Sequence, residues 1–167
     1  MRIMDFPKAL ETAKGLSDLF ELVKEGVRVA TGRFRGGLML GLADLGNHPQ
    51  GFLGAFYPMT SNVIVMNRIP LMRIKETDPT LFKPYAFHVL LHEYLHTLGY
   101  VEEMVVRPKA YEITRALFGE THVATQVAEN PMRFFPSLVY PDLAWQPESL
   151  NLELVPDFDR GNTSYIA

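Results

Sequence analysis

The chain has 167 residues, 47% of them hydrophobic and 21% charged, which is enough apolar material for one domain with a real core and too much for wholesale disorder. Sixteen Lys and Arg against nineteen Asp and Glu leave a formal charge of -3, which argues against a protein built to neutralise phosphates and so against a nucleic-acid partner. Cys is absent, so disulfides, thiolate metal sites, iron–sulfur clusters and a Cys nucleophile are excluded. A transition metal would have to be held by carboxylates and by five histidines: His48, His88, His92, His96 and His122.

The first ten residues, MRIMDFPKAL, lack the apolar run and small-residue cleavage site of a signal peptide. No apolar stretch reaches the roughly 18 residues of a membrane span. The expectation is a cytoplasmic protein with no membrane partner.

Asp5 reads as a helix cap with Pro7 in the first turn. Phe6, Ala9, Leu10, Ala13, Leu16, Leu19, Phe20 and Val23 then recur at helical spacing, which predicts one amphipathic helix over residues 6–25, ended by Gly26. Val27 to Thr31 and Gly37 to Leu42 read as short strands on either side of a turn carrying Arg33 and Arg35. A loop at residues 46–51 leads to two more strands, Phe52 to Tyr57 and Asn62 to Arg68. The second is β-branched at Val63, Ile64 and Val65 and is stopped by Pro70, as at an exposed sheet edge.

From about Pro84 to Leu98 the chain is apolar almost all round, apart from three His and one Glu, which is the pattern of a helix buried in mid-domain. Gly99 ends it. Pro108 is read as opening the next helix, which runs to Phe118; after Gly119, helical character resumes over Thr121 to Asn130. Beyond Pro131 the Pro- and aromatic-rich chain reads as irregular. The order of elements predicts an α+β fold in a single domain, residues 1–167. An upper sub-domain spans residues 1–99, and a lower one with the C-terminal tail spans residues 100–167.

His92-Glu93-Tyr94-Leu95-His96 is an H-E-x-x-H pattern on the buried helix. Four residues advance a helix by about 400° and 6 Å, so His92 and His96 lie on one face, one above the other. Both imidazoles can then reach one Zn2+ at about 2.0–2.1 Å. Glu93 lies about 100° round from His92, placed to hydrogen-bond a metal-bound water and take its proton. Polar side chains in so apolar a helix demand partners, and a metal supplies one.

The motif resembles the signature of the zincin metallopeptidases, and the resemblance covers roughly residues 6–130. It implies a backing N-terminal helix, a small mixed sheet whose edge strand (Asn62 to Arg68) pairs with an extended peptide substrate, and a metal-bearing central helix. The implied activity is zinc-dependent peptide hydrolysis with Glu93 as the base, acting on a peptide or protein substrate.

The third ligand is the open question. His92-Glu93-x-x-His96-x-x-Gly99-x-x-Glu102 is similar to the metzincin pattern, which makes Glu102 one candidate, although metzincins usually carry His there. Met132 would then stand for the Met-turn. Glu112 is similar in placement to the third ligand of gluzincins, without the rest of their signature. His122 is the preferred ligand: it is the only downstream His, it follows a glycine break at a helix start, and neutral imidazole is the commonest metal ligand. Failing that, His122 would stabilise an oxyanion, with Arg115 and Tyr111 as weaker choices. His88 shares the face of His92 one turn earlier and reads as a supporting or core residue, and His48 as a solvated loop residue. The tail from Asn151 to Ala167, with Asp157 and Asp159, is a candidate to lie over the cleft and hold the enzyme latent. The oligomeric state has no signature in the sequence.

Overall fold

The structure, a computed structural model, describes residues 4–45, 47–48, 51–58, 60–141, 145, 147 and 150–156. Helices α1 (Phe6–Thr12) and α2 (Leu16–Thr31) precede strands β1 (Met39–Ala43), β2 (Asn47–His48), β3 (Gly51–Leu53), β4 (Ala55–Phe56) and β5 (Val63–Asn67). Then come α3 (Arg68–Thr77), a 3-10 turn (Pro79–Leu81), α4 (Phe82–Thr97), α5 (Glu103–Phe118), α6 (Val123–Glu129) and α7 (Pro131–Phe134). Strands β6 (Leu138–Val139) and β7 (Glu153–Leu154) follow. Helices and small sheets share one chain, in keeping with the α+β expectation.

The helix expected over residues 6–25 is two. Asp5 caps the first by accepting the Lys8 N–H at 3.1 Å, and Asp18 accepts the Lys14 N–H at 2.9 Å as the chain turns into the second. α2 then runs through Gly26 to Thr31, so the strand expected at Val27 to Thr31 is its last turn. Gly26 serves close packing there, because a Cβ at this position would meet the Leu117 side chain of α5. The helix stops instead at Gly32, where a φ of 77° lets the N–H reach the Arg28 carbonyl at 2.8 Å.

One sheet has the order β4-β5-β1-β7, with β1 and β5 parallel and both outer pairings antiparallel. This corrects the reading of Asn62 to Arg68 as an exposed edge. β5 is hydrogen-bonded on both sides and Ile64, Val65 and Met66 are fully buried, so it has no free edge for a substrate strand. The run Phe52 to Tyr57 also divides, into β3 and β4 in different sheets. The second sheet has the order β2-β3-β6, with β3 and β6 parallel.

Alternation along β5 sorts its side chains. Ile64 and Met66 join the main core with Leu40, Phe20 and Tyr94. Val65, with Val63 against it, joins a small cluster with Ala43, Phe56 and Trp145 on the other face. Pro70 does not end a strand at a free edge; it lies in the first turn of α3, whose cap Asn67 is wholly buried. Asn67 donates to the Leu53 carbonyl at 2.8 Å and accepts from the Leu45 and Ile69 amides at 3.2 Å.

Every residue of α4 from Pro84 to Thr97 is buried, and the helix packs against α2, α5 and α6. Two arginines clamp its C-terminus. Arg33 donates to the Leu98 carbonyl at 2.6 Å and Arg35 to the Thr97 carbonyl at 2.8 Å, satisfying acceptors that a helix end leaves without partners. α5 starts five residues before the expected Pro108, which is accommodated inside it on the exposed side. Of the tail, residues 151–156 are described, and β7 within them pairs with β1. Residues 157–167, including Asp157 and Asp159, lie outside the described residues.

Gly51 makes a local test of the second sheet. Its φ is 153° and a Cβ there would collide with the Ser137 carbonyl, which accepts the Phe52 N–H at 2.7 Å. Gly51→Ala is expected to destabilise the fold by about 1–3 kcal/mol. Gly15→Ala, at an extended glycine with open space around its Cβ position, should stay within about 0.5 kcal/mol of the parent. Urea unfolding of the two variants checks both numbers.

Candidate metal centre

Helical spacing puts His92 and His96 one turn apart on α4 with ring centroids 4.9 Å apart. Their Nε2 atoms converge on one carboxylate, that of Glu103, the first residue of α5. His96 Nε2 lies 2.9 Å from Glu103 Oε1, and His92 Nε2 lies 3.2 Å from Oε1 and 3.0 Å from Oε2. The ligating atoms of the three residues all fall within 4.8 Å of one another. A tetrahedral ion with bonds of about 2.0–2.1 Å needs donors about 3.4 Å apart, so a small outward shift makes room for one.

The surroundings fit a divalent ion. His96 Nδ1 is 2.8 Å from the Tyr100 carbonyl, a partner that holds the Nδ1 proton, so that an ion replacing the Nε2 proton would meet a lone pair directed at the centre. Glu103 Oε2 is buried without a hydrogen bond, although the Nε of Arg107 is 3.5 Å away. Burial works against ionising Glu103, but hydrogen bonds from His92 and His96 outweigh it and hold its pKa well below the usual carboxylate range. Burial also opposes a charge on His96, and Glu103, Glu93 and the Tyr100 carbonyl together prevail and raise its pKa. Glu93 is buried beside both imidazoles. Desolvation pushes its pKa up, and the two rings pull against that shift.

The sequence-predicted residues are therefore placed unequally. His92, Glu93 and His96 come together. Glu102, one residue from the observed carboxylate, is the exposed N-cap residue of α5 and makes no capping bond. His122 is not brought to the centre. It is the N-cap of α6, its Nδ1 accepts the Ala124 N–H at 3.0 Å, and it lines a separate cavity with residues of α1. The glycine break before it positions the cap of α6. Glu112 is exposed on α5, and Arg115 faces Glu120 at 3.9 Å.

Three residues near the centre carry no signal in the H-E-x-x-H motif. The Tyr140 ring stacks on His92 at 4.2 Å with a 20° interplanar angle, and its hydroxyl is 2.7 Å from His88 Nε2. The Arg107 guanidinium lies 4.5 Å over the Tyr140 ring. His88, Tyr140 and Arg107, together with Tyr111 and Met132, line a cavity of about 360 Å³. Met132 is half exposed in its wall. Glu103 itself was findable: it falls in helical phase with the buried Val106, Ala110 and Ile113, a pattern hidden when the helix is started at Pro108.

No family model, curated protein or solved structure matches the chain. Among the described residues, no helix is long and apolar enough to cross a membrane.

Burial pushes His88 down to about 3, with His92 and Arg107 adding to the effect. The unfolded chain takes up this proton near 6.5 and the folded chain only near 3, so stability falls as pH drops below 6.5. Between pH 7 and pH 5, metal-free parent should lose roughly 2 kcal/mol more than His88→Gln, which does not titrate. Urea unfolding in chelator at the two pH values measures the difference.

Proposed function

We propose that the chain is a zincin-like, Zn2+-dependent peptidase whose metal ligands are His92, His96 and Glu103 and whose base is Glu93. The observation that carries this reading is the Glu103 carboxylate seated between two imidazoles of a buried H-E-x-x-H helix. Two nitrogens and a carboxylate oxygen form a donor set suited to Zn2+. The ion supplies Lewis acidity, which polarises a carbonyl and brings the pKa of water to about 7.

The chain's own residues do the rest. His92 and His96 orient the centre, and the Tyr100 carbonyl keeps His96 in the required tautomer. Glu93, one position along the helix from His92, takes a proton from water and returns it to the departing amine. The apolar walls around it keep bulk water away from that transfer. The 360 Å³ cavity bordered by Tyr140 and Arg107 offers space beside the centre for part of a substrate.

A second reading is a zincin-like metal-binding module with little turnover. It draws support from β5, the strand expected to pair with substrate, which is enclosed on both sides. The retained Glu93 weighs against it, because binding alone needs no base.

Two measurements test the proposal. Purified protein should hold one Zn2+ per chain. Glu103→Ala should lose tight binding, whereas Glu102→Ala and His122→Ala should keep affinities within about threefold of the parent. On a peptide library, Glu93→Gln should retain the metal and lose about 10²–10⁴-fold in rate. Equal hydrolysis by Glu93→Gln and parent would end the peptidase mechanism, and a loaded parent that cleaves nothing would favour the binding module.

A further inference from the structure

We infer that Tyr140 is a positioning residue of the metal centre, holding the His92 ring in place as the Tyr100 carbonyl holds that of His96. The inference rests on the metal reading above. A ligating imidazole binds well only when its ring is oriented before the ion arrives, and the usual device is a hydrogen bond to the nitrogen that does not ligate. His96 has that device, with its Nδ1 2.8 Å from the Tyr100 carbonyl. His92 does not, since its Nδ1 is buried and without a hydrogen-bond partner.

His92 has a flat surface against it instead. The Tyr140 ring lies nearly parallel to the imidazole, 20° off, at 4.2 Å between centroids. An aromatic stack restrains rotation about the side chain's last torsion, which a generic apolar neighbour does not.

The stack is itself held in place. The Tyr140 hydroxyl meets His88 Nε2 at 2.7 Å, and the Arg107 guanidinium lies over the ring at 4.5 Å. Arg107 also reaches Glu103 Oε2 at 3.5 Å. A closed circuit results, from His92 to Tyr140, to Arg107, to Glu103 and back to His92, so one ring couples the orientation of two ligands. Tyr140 directly follows β6, whose pairing with β3 sets its height above α4. His88 thus acts on the centre through Tyr140, from one turn earlier on the same helix.

The test compares parent, Tyr140→Phe, Tyr140→Leu and Val65→Ala, the last in the small core cluster on the far face of the sheet. Zn2+ affinity is measured by competition with a chelating dye, the Co2+ adduct by its visible spectrum, and metal-free stability by urea unfolding. Tyr140→Leu should bind Zn2+ about 10–100-fold more weakly and shift the Co2+ bands. Tyr140→Phe, which keeps the stack and loses the His88 bond, should weaken binding by about three- to tenfold. Val65→Ala should lower stability and leave affinity and spectrum alone.

Tyr140→Leu within about twofold of the parent, or no weaker than Val65→Ala at equal loss of stability, overturns the inference while the metal centre stands. If Tyr140→Leu does not fold, Tyr140→Phe decides, and parental affinity and spectrum in that variant overturn it. A parent that binds neither ion overturns the metal reading, and the inference with it.

Discussion

One carboxylate between two imidazoles organises this molecule. α4 is buried along almost its whole length, yet it carries His88, His92, Glu93 and His96. Each would cost several kcal/mol if left without a partner in apolar surroundings. The helix cannot satisfy them from within, because the geometry that aligns His92 with His96 also points both at the same empty direction. Glu103 fills it from the next helix. That requirement is met by His92 and His96 through Glu103, on the inward face of α5, and by His88 through Tyr140.

The parts of this arrangement that were legible in the sequence are those set by local spacing. A run of apolar residues broken only by three His and a Glu defines a buried helix, and the four-residue step from His92 to His96 defines a shared face. The place of Glu103, the third member of the cluster, depends on where α5 begins. Pro108 is a strong local signal for a helix start, but a proline five residues in is tolerated on the solvent side, where water is available to the freed carbonyl. Shifting the start to Glu103 moves the inward-facing acid from a loop to the helix. Glu102, its neighbour, stays outside the helix as its exposed N-cap residue.

Other differences have the same origin in long-range partners. β5 looks like an edge because Pro70 follows it, but its flanks are β4, two residues long, and β1, which meets β7 from near the end of the described chain. Neither short strand has a periodicity that sequence can display. Gly26 looks like a helix stop until Leu117 is seen against it. The region after Pro131 reads as irregular, yet its described residues include α7, β6 and β7. Tyr140 has no motif around it, and only the pairing of β6 with β3 delivers it to His92.

The burial pattern around His92, His96 and Glu103 shows which side of the cluster is open to solvent. The His92 and His96 side chains are 1% and 3% exposed, against 32% for Glu103, so solvent reaches the centre past the start of α5. That rim mixes the exposed apolar side chains of Val101, Val105 and Met104, the last 87% exposed, with the charged Glu102 and Arg107. Arg107 and Tyr140 edge the cavity next to it. In the proposed peptidase, recognition would therefore rest on side-chain contacts more than on backbone pairing, because β5 is hydrogen-bonded on both sides.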